Sequence, residues 1–142
     1  MIILDTNVIS EVMRERPAPE VLAWLQRQSS EETFTTAVTV AEILAGIALM
    51  PEGRRRNDLA DGARLLFDHE FAQHVLPFDR SAAETYAGIL ATRSRSGRRI
   101  KELDAQIVSI AHARKMRIAT RNVRDFIGCG VEIINPWDFQ IV

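Results

Sequence analysis

The chain predicts an α/β fold, a parallel twisted sheet of four to five strands flanked by helices, on three observations. The opening run Met1-Ile2-Ile3-Leu4 is apolar without alternation, the pattern of a strand buried on both faces of a parallel sheet. Short β-branched or aromatic runs recur along the chain, and segments with apolar residues at helical spacing separate them. Such alternation implies parallel strands joined by right-handed crossovers. At 142 residues the expectation is one domain over residues 1–142.

The first strand covers about residues 2–5 and leads into a short helix from Asn7 or Val8. Pro17 breaks the chain, and Pro19 opens a second helix ending near Gln28, with Val21, Leu22 and Leu25 sharing a face and Trp24 at its edge. Residues 29–32 read as a loop and 33–37 as a strand. A helix from Val40 to Leu49 takes Thr39 as its N-cap, with Glu42 completing a capping box. After Pro51-Glu52-Gly53, residues 57–71 are again helical. Val75 to Phe78 is a short strand whose Pro77 places it at an edge. Ser81 and Glu84 form a capping box for a helix to Arg95, which breaks at residues 94–97. A helix from Leu103 to Lys115 follows, then strands at 117–120 and 131–134.

Composition narrows the class. Hydrophobic residues make up 46%, enough for a packed core. The formal net charge of -1 gives no overall attraction to a polyanion, so binding one requires locally clustered cations. Arginine supplies all the basic residues except Lys101 and Lys115, and its planar fork suits phosphate and carboxylate. Cys129 is the only cysteine, which excludes an internal disulfide and any multi-cysteine metal site. His69, His74 and His112 are scattered and read as surface or packing residues. With no secretory pattern and no apolar run long enough to span a bilayer, a soluble cytoplasmic protein is expected.

Acidic and amide side chains fall where strands end and helices begin: Asp5, Glu42, Asp104 and the pair Asn122 and Asp125. In a parallel sheet those ends share one rim, where open α/β folds place ligands. Each has a structural explanation as well. Glu42 closes a capping box, Asp104 suits the positive end of its helix, and Asp5 or Asn7 could cap the first helix. Asp5 is least well explained as a cap, because Thr6 and Asn7 are also candidates. Two unit charges about 4 Å apart repel by about 4 kcal/mol at an effective dielectric near 20, so such a cluster either raises some of its pKa values or binds a metal. An oxygen-only donor set favours Mg²⁺ or Mn²⁺.

These segments resemble the PIN-domain ribonucleases, and among them the VapC-like toxins of the FitB-like subgroup. The resemblance is carried by Ile2-Ile3-Leu4-Asp5-Thr6-Asn7, by Thr39-Val40-Ala41-Glu42-Ile43 with Gly46, and by Leu76-Pro77-Phe78-Asp79. It continues through Glu102-Leu103-Asp104-Ala105, Ala119-Thr120-Arg121-Asn122 with Asp125-Phe126, and Asn135-Pro136-Trp137. It implies a Mg²⁺- or Mn²⁺-dependent endoribonuclease in which Asp5, Glu42 and Asp104 hold metal. Asn122 then stands where some relatives carry aspartate. Asp125 either supplies the missing charge or caps the following turn. Thr6 orients Asp5 by hydrogen bonding, and Thr120 does similar work at its own strand end.

The resemblance also implies partners: RNA as substrate, a small cognate antitoxin of the VapB or FitA type, a homodimer, and a heterotetramer or larger assembly with the antitoxin. The basic run from Arg93 to Lys101 directly precedes Asp104, so its cations could line the approach to the site, with Arg93, Arg95, Arg98 and Arg99 as candidates for RNA-phosphate contacts. Arg54, Arg55 and Arg56 read as a solvated helix end. Trp24, Leu25 and the helix over 57–71 are either apolar interface or core. The alternative is a non-catalytic PIN-like module that binds RNA or protein. An aspartate-nucleophile phosphatase fits less well, because Asn7 stands where its second aspartate belongs. A phosphoacceptor domain lacks its lysine, with Thr120-Arg121 near that strand end.

Overall fold

Ile2, Ile3 and Leu4 form β1 (Ile2–Leu4), and all three are buried. The computed structural model describes residues 1–142. The other strands are β2 (Thr33–Thr36), β3 (Val75–Leu76), β4 (Arg117–Ala119) and β5 (Ile133–Ile134). They form one sheet in the order β3-β2-β1-β4-β5, and every pairing is parallel. Ile3 lies in register with Phe34 on one side and Ile118 on the other. β3 occupies an edge, as Pro77 predicts, and the pairing stops at Leu76 because proline cannot donate to the ladder.

Side chains alternate across β1. Ile3 joins a core with Ile107, Ile110 and Ile118 beneath α5 (Arg80–Arg95) and α6 (Glu102–Ala113). Ile2 and Leu4 face the other core, built with Val8 and Ile9 of α1 (Thr6–Val12), Val21 of α2 (Pro19–Gln26), Ile43 and Ile47 of α3 (Ala37–Ala48), and Ala63 of α4 (Arg54–Leu65). Each fully buried branched side chain contributes about 1.5–3 kcal/mol. Trp24 belongs to this second core and is 6% exposed, so it is not a docking surface. A single π-helical turn, Leu66–Glu70, extends α4, and a last short helix, α7 (Val123–Phe126), follows β4. No helix is long and apolar enough to cross a membrane.

Three helix starts differ from the sequence expectation. The hydroxyl of Thr36, not Thr39, caps α3 by accepting from the Thr39 N–H. The helix therefore begins three residues earlier, and Glu42 takes no part in a cap. For α5 the cap is Asp79, whose Oδ1 accepts from the Ala82 N–H at 3.0 Å, rather than Ser81. α4 begins at Arg54, inside the arginine run. The break after α5 is a Schellman turn: Gly97 takes φ 71°, Arg98 N donates to Arg93 O at 3.0 Å and Gly97 N to Ser94 O at 3.2 Å.

Candidate active site

Asp5 follows β1 and continues its ladder, donating its N–H to Ala119 O at 2.9 Å. Its side chain emerges at the carboxyl end of the central strand, yet only 2% of the residue is exposed. It is also the N-cap of α1: Oδ1 accepts from Thr6 N at 2.8 Å. Oδ2 accepts from Thr120 Oγ1 at 2.7 Å and from Asn7 Nδ2 at 3.3 Å. Asn7 Nδ2 also reaches Thr120 Oγ1 at 3.1 Å, and Asn7 Oδ1 accepts from Arg121 N at 3.1 Å. Two strand ends are thereby laced together around one carboxylate.

Glu42 is half-buried in α3, and its Oε1 accepts from Thr6 Oγ1 at 2.8 Å. That changes the expected role of Thr6. Its hydroxyl serves Glu42, with Thr39 Oγ1 3.0 Å away, while only its backbone N–H reaches Asp5. Thr120 does orient Asp5 through its hydroxyl. Asp104 lies in the first turn of α6, half-buried. Asp5, Glu42, Asp104, Asn7 and Asn122 line one open cleft of about 780 Å³.

Electrostatics in the cleft favour a cation. Burial lifts the Asp5 carboxyl from 3.8 to about 6, against the donors Thr120 and Thr6, with smaller contributions from the nearby Asp104 and Glu42. Asp104 is raised by burial, then by Asp125 and Glu42, with Lys101 acting against them. Asp125 thus reaches Asp104 through its field, although it is exposed and does not line the cleft. As the side chains stand, no three Asp, Glu, His or Cys groups form a closed metal cage. Both oxygens of Asp5 and one of Glu42 are occupied by hydroxyl and amide donors. The donor set is oxygen-rich and short of positive charge, so its chemistry fits a hard dication.

Of the basic run before Asp104, only Lys101 reaches the cleft. Arg14, Lys101 and Arg121 line it, whereas Arg95, Arg98 and Arg99 are exposed outside its lining. Arg93 is buried and cannot meet a phosphate. Its Nε donates to Arg98 O at 2.6 Å, and its Nη1 donates to Ile127 O at 2.8 Å and approaches Cys129 Sγ at 3.5 Å. Glu11 and Trp137 also line the cleft and carried no site signal in the sequence. Glu11 lies on α1 one turn after Asn7, the spacing that places both on one helix face. It accepts from the Ala18 N–H at 3.0 Å and pairs with Arg14 at 3.3 Å.

Comparison with known proteins places the chain in a family. The PIN domain family model matches residues 2–127. The VapC ribonuclease Y4jK of Sinorhizobium fredii is 41% identical over 138 residues, 97% of this chain and 99% of that one. Toxin FitB of Neisseria gonorrhoeae is 37% identical over 137 residues, 96% and 99% of the two chains. The solved structure of FitAB bound to an IR36 DNA fragment superposes with a TM-score of 0.91 at 37% identity, covering 99% of each chain. With a family model spanning most of its length and relatives matched nearly end to end, the chain belongs to the PIN-domain family, in its VapC- and FitB-like branch.

Proposed function

We propose that this protein is a Mg²⁺- or Mn²⁺-dependent endoribonuclease and the toxin member of a toxin–antitoxin pair. The observation that carries this is the convergence of Asp5, Glu42 and Asp104 on one cleft at the carboxyl end of the sheet, with Asp5 and Asp104 both raised in pKa. Asp5 and Asp104 would hold the cation, with Glu42 beside them. When bound, such an ion neutralises phosphoryl charge and activates water.

The remaining roles belong to the chain. Thr6 holds Oε1 of Glu42, which leaves Oε2 to accept the proton of an attacking water. Thr120 and Asn7 hold Oδ2 of Asp5 and the Thr6 N–H holds Oδ1, which fixes the orientation of the carboxylate. Asn122 offers an amide oxygen at the rim without adding charge. Asp125 adds a negative field at Asp104 from outside the lining.

The partner is a small antitoxin, and the assembly is a homodimer that binds it as a heterotetramer or larger. The FitAB–DNA complex, a toxin-type chain of the same fold solved with its partner, supports this. A non-catalytic module is the rival, favoured by Asn122 and by the absence of a closed metal cage.

The test is RNA degradation by purified protein with Mg²⁺ or Mn²⁺ and with chelator, beside titration calorimetry of the metals. Wild type is expected to cleave only with metal. Asp5→Asn and Asp104→Asn should lose roughly 100-fold or more while remaining folded. Cleavage that survives chelation, or is unchanged in Asp5→Asn, removes the mechanism. Metal binding too weak to detect, with no cleavage, favours the module.

A further inference from the structure

Among the carboxylates of the cleft stands a guanidinium that pairs with none of them. Arg121 lines the cleft, is exposed, and enters no ion pair within 4.0 Å. Its Cζ lies 5.1 Å from the ring centroid of Trp137, a cation–π contact. Both partners are braced. The Arg121 backbone N–H is fixed by Asn7 Oδ1 at 3.1 Å, which ties it to the residue that also binds Asp5. Trp137 sits in a 3₁₀ turn, Pro136–Asp138, where Asn135 Oδ1 accepts its N–H at 3.0 Å, and its indole packs against the core of Ile2 and Leu4.

The other two cations at the cleft are placed differently. Arg14 is already paired with Glu11. Lys101 is an exposed ammonium on a flexible stem that makes no ion pair. Arg121 alone combines a planar fork, a fixed backbone and an aromatic support that restrains its side chain. A guanidinium held this way keeps N–H groups free for a planar or tetrahedral oxyanion and loses little freedom on binding it. Beside carboxylates that suit a dication, such a group fits a polyanion whose charges repeat along a chain.

We propose that Arg121, stacked on Trp137, grips a phosphate of the RNA strand flanking the bond to be cut, and so sets substrate affinity. The inference rests on the nuclease function proposed above and adds a substrate-binding group to it.

Binding of a labelled single-stranded RNA oligonucleotide to the non-cleaving Asp104→Asn protein, from about 50 to 200 mM salt, tests it directly. Adding Arg121→Ala is expected to weaken binding about tenfold, the scale of one charge-assisted hydrogen bond. It should also flatten the slope of log affinity against log salt by about 0.7, the value for one phosphate contact on a single strand. Arg121→Lys should restore the slope but not the full affinity, because an ammonium keeps the charge and loses the fork. Trp137→Phe should keep most of the affinity, and Trp137→Leu should lose part of it. In cleavage assays without the Asp104 change, Arg121→Ala should raise KM far more than it lowers kcat. Unchanged affinity and slope in Arg121→Ala overturn the proposal. So does a lowered thermal midpoint with unaltered KM, which makes Arg121 a latch for the C-terminal segment. If wild type cleaves RNA while Arg121→Ala keeps its KM, this inference alone fails. If wild type neither binds nor cleaves RNA, the nuclease function itself fails.

Discussion

At the scale of single residues, Asp5 sets the tension between folding and function. Its carboxyl titrates at about 6 in the folded chain, against an ordinary 3.8, chiefly because it is buried. The folded state therefore holds that proton more tightly than the unfolded chain does. The stabilisation is fully present below about pH 4 and is lost as pH rises through about 6, a change of about 3 kcal/mol. Without metal, the urea stability of wild type relative to Asp5→Asn should fall by about that amount between pH 4 and 7; a difference independent of pH would contradict it. A bound dication should reverse the loss. At pH 7, Mg²⁺ or Mn²⁺ at about 100 times its Kd should add about 2.7 kcal/mol to wild type. The gain should shrink toward pH 5, where the proton competes, and be absent in Asp5→Asn. The position of Asp5 was legible in the sequence because strand ends are legible, whereas the role of Thr120 came from the family resemblance. The target of Thr6 was not legible: a hydroxyl can face either neighbour, and the packing of α3 against α1 turns it to Glu42. Arg93 misled for a related reason, since a basic residue in a basic run reads as solvated until the fold buries it beneath Ile127 and Cys129.

At the scale of elements, both capping boxes read from the sequence were displaced toward the N-terminus. Thr33 to Ala37 and the following Val38-Thr39 are rich in β-branched residues, which favours extending the strand. The chain instead ends β2 at Thr36 and uses that residue's hydroxyl as the cap. The shift has a functional consequence. With Thr36 as the cap, the Thr39 hydroxyl and the Glu42 carboxylate are not needed to cap the helix, and both meet Thr6. In α5 the same competition was between Asp79 and Ser81, and the carboxylate in extended backbone wins because it directly precedes the first helical residue. Asp79→Ala should therefore cost about 1 kcal/mol in denaturation, while Ser81→Ala, an exposed residue, should stay within about 0.5 kcal/mol. Equal effects, or a larger loss for Ser81, would return the cap to the position the sequence favoured. The alternation of elements and the edge position of β3 were readable because hydrophobic period and Pro77 act locally. Helix starts depend on which of several oxygens reaches a free N–H, and that is decided in three dimensions.

At the scale of the molecule, a net charge of -1 has to coexist with the proposed binding of RNA. Topology resolves this by sorting charge rather than adding it. Parallel strands send Asp5 and Thr120 to one rim, and α3 and α6 bring Glu42 and Asp104 there with Arg14, Lys101 and Arg121. The arginines after residue 93 were attractive in sequence because they lie next to Asp104. The Schellman turn at Gly97 and the anchoring of Arg98 O by Arg93 instead leave Arg95, Arg98 and Arg99 outside the cleft lining. The two arrangements differ in a measurable way. If only the unpaired cleft cations Lys101 and Arg121 meet phosphates, log affinity for single-stranded RNA should fall with log salt at a slope of about -1.4, near -0.7 per contact. If the exposed arginines at 95, 98 and 99 also engage, five contacts should steepen the slope to about -3.5. The shallow slope is expected, and replacing all three outer arginines by glutamine should leave it unchanged. A slope near the steeper value that collapses in that triple variant would move the RNA path off the cleft and onto the face following α5.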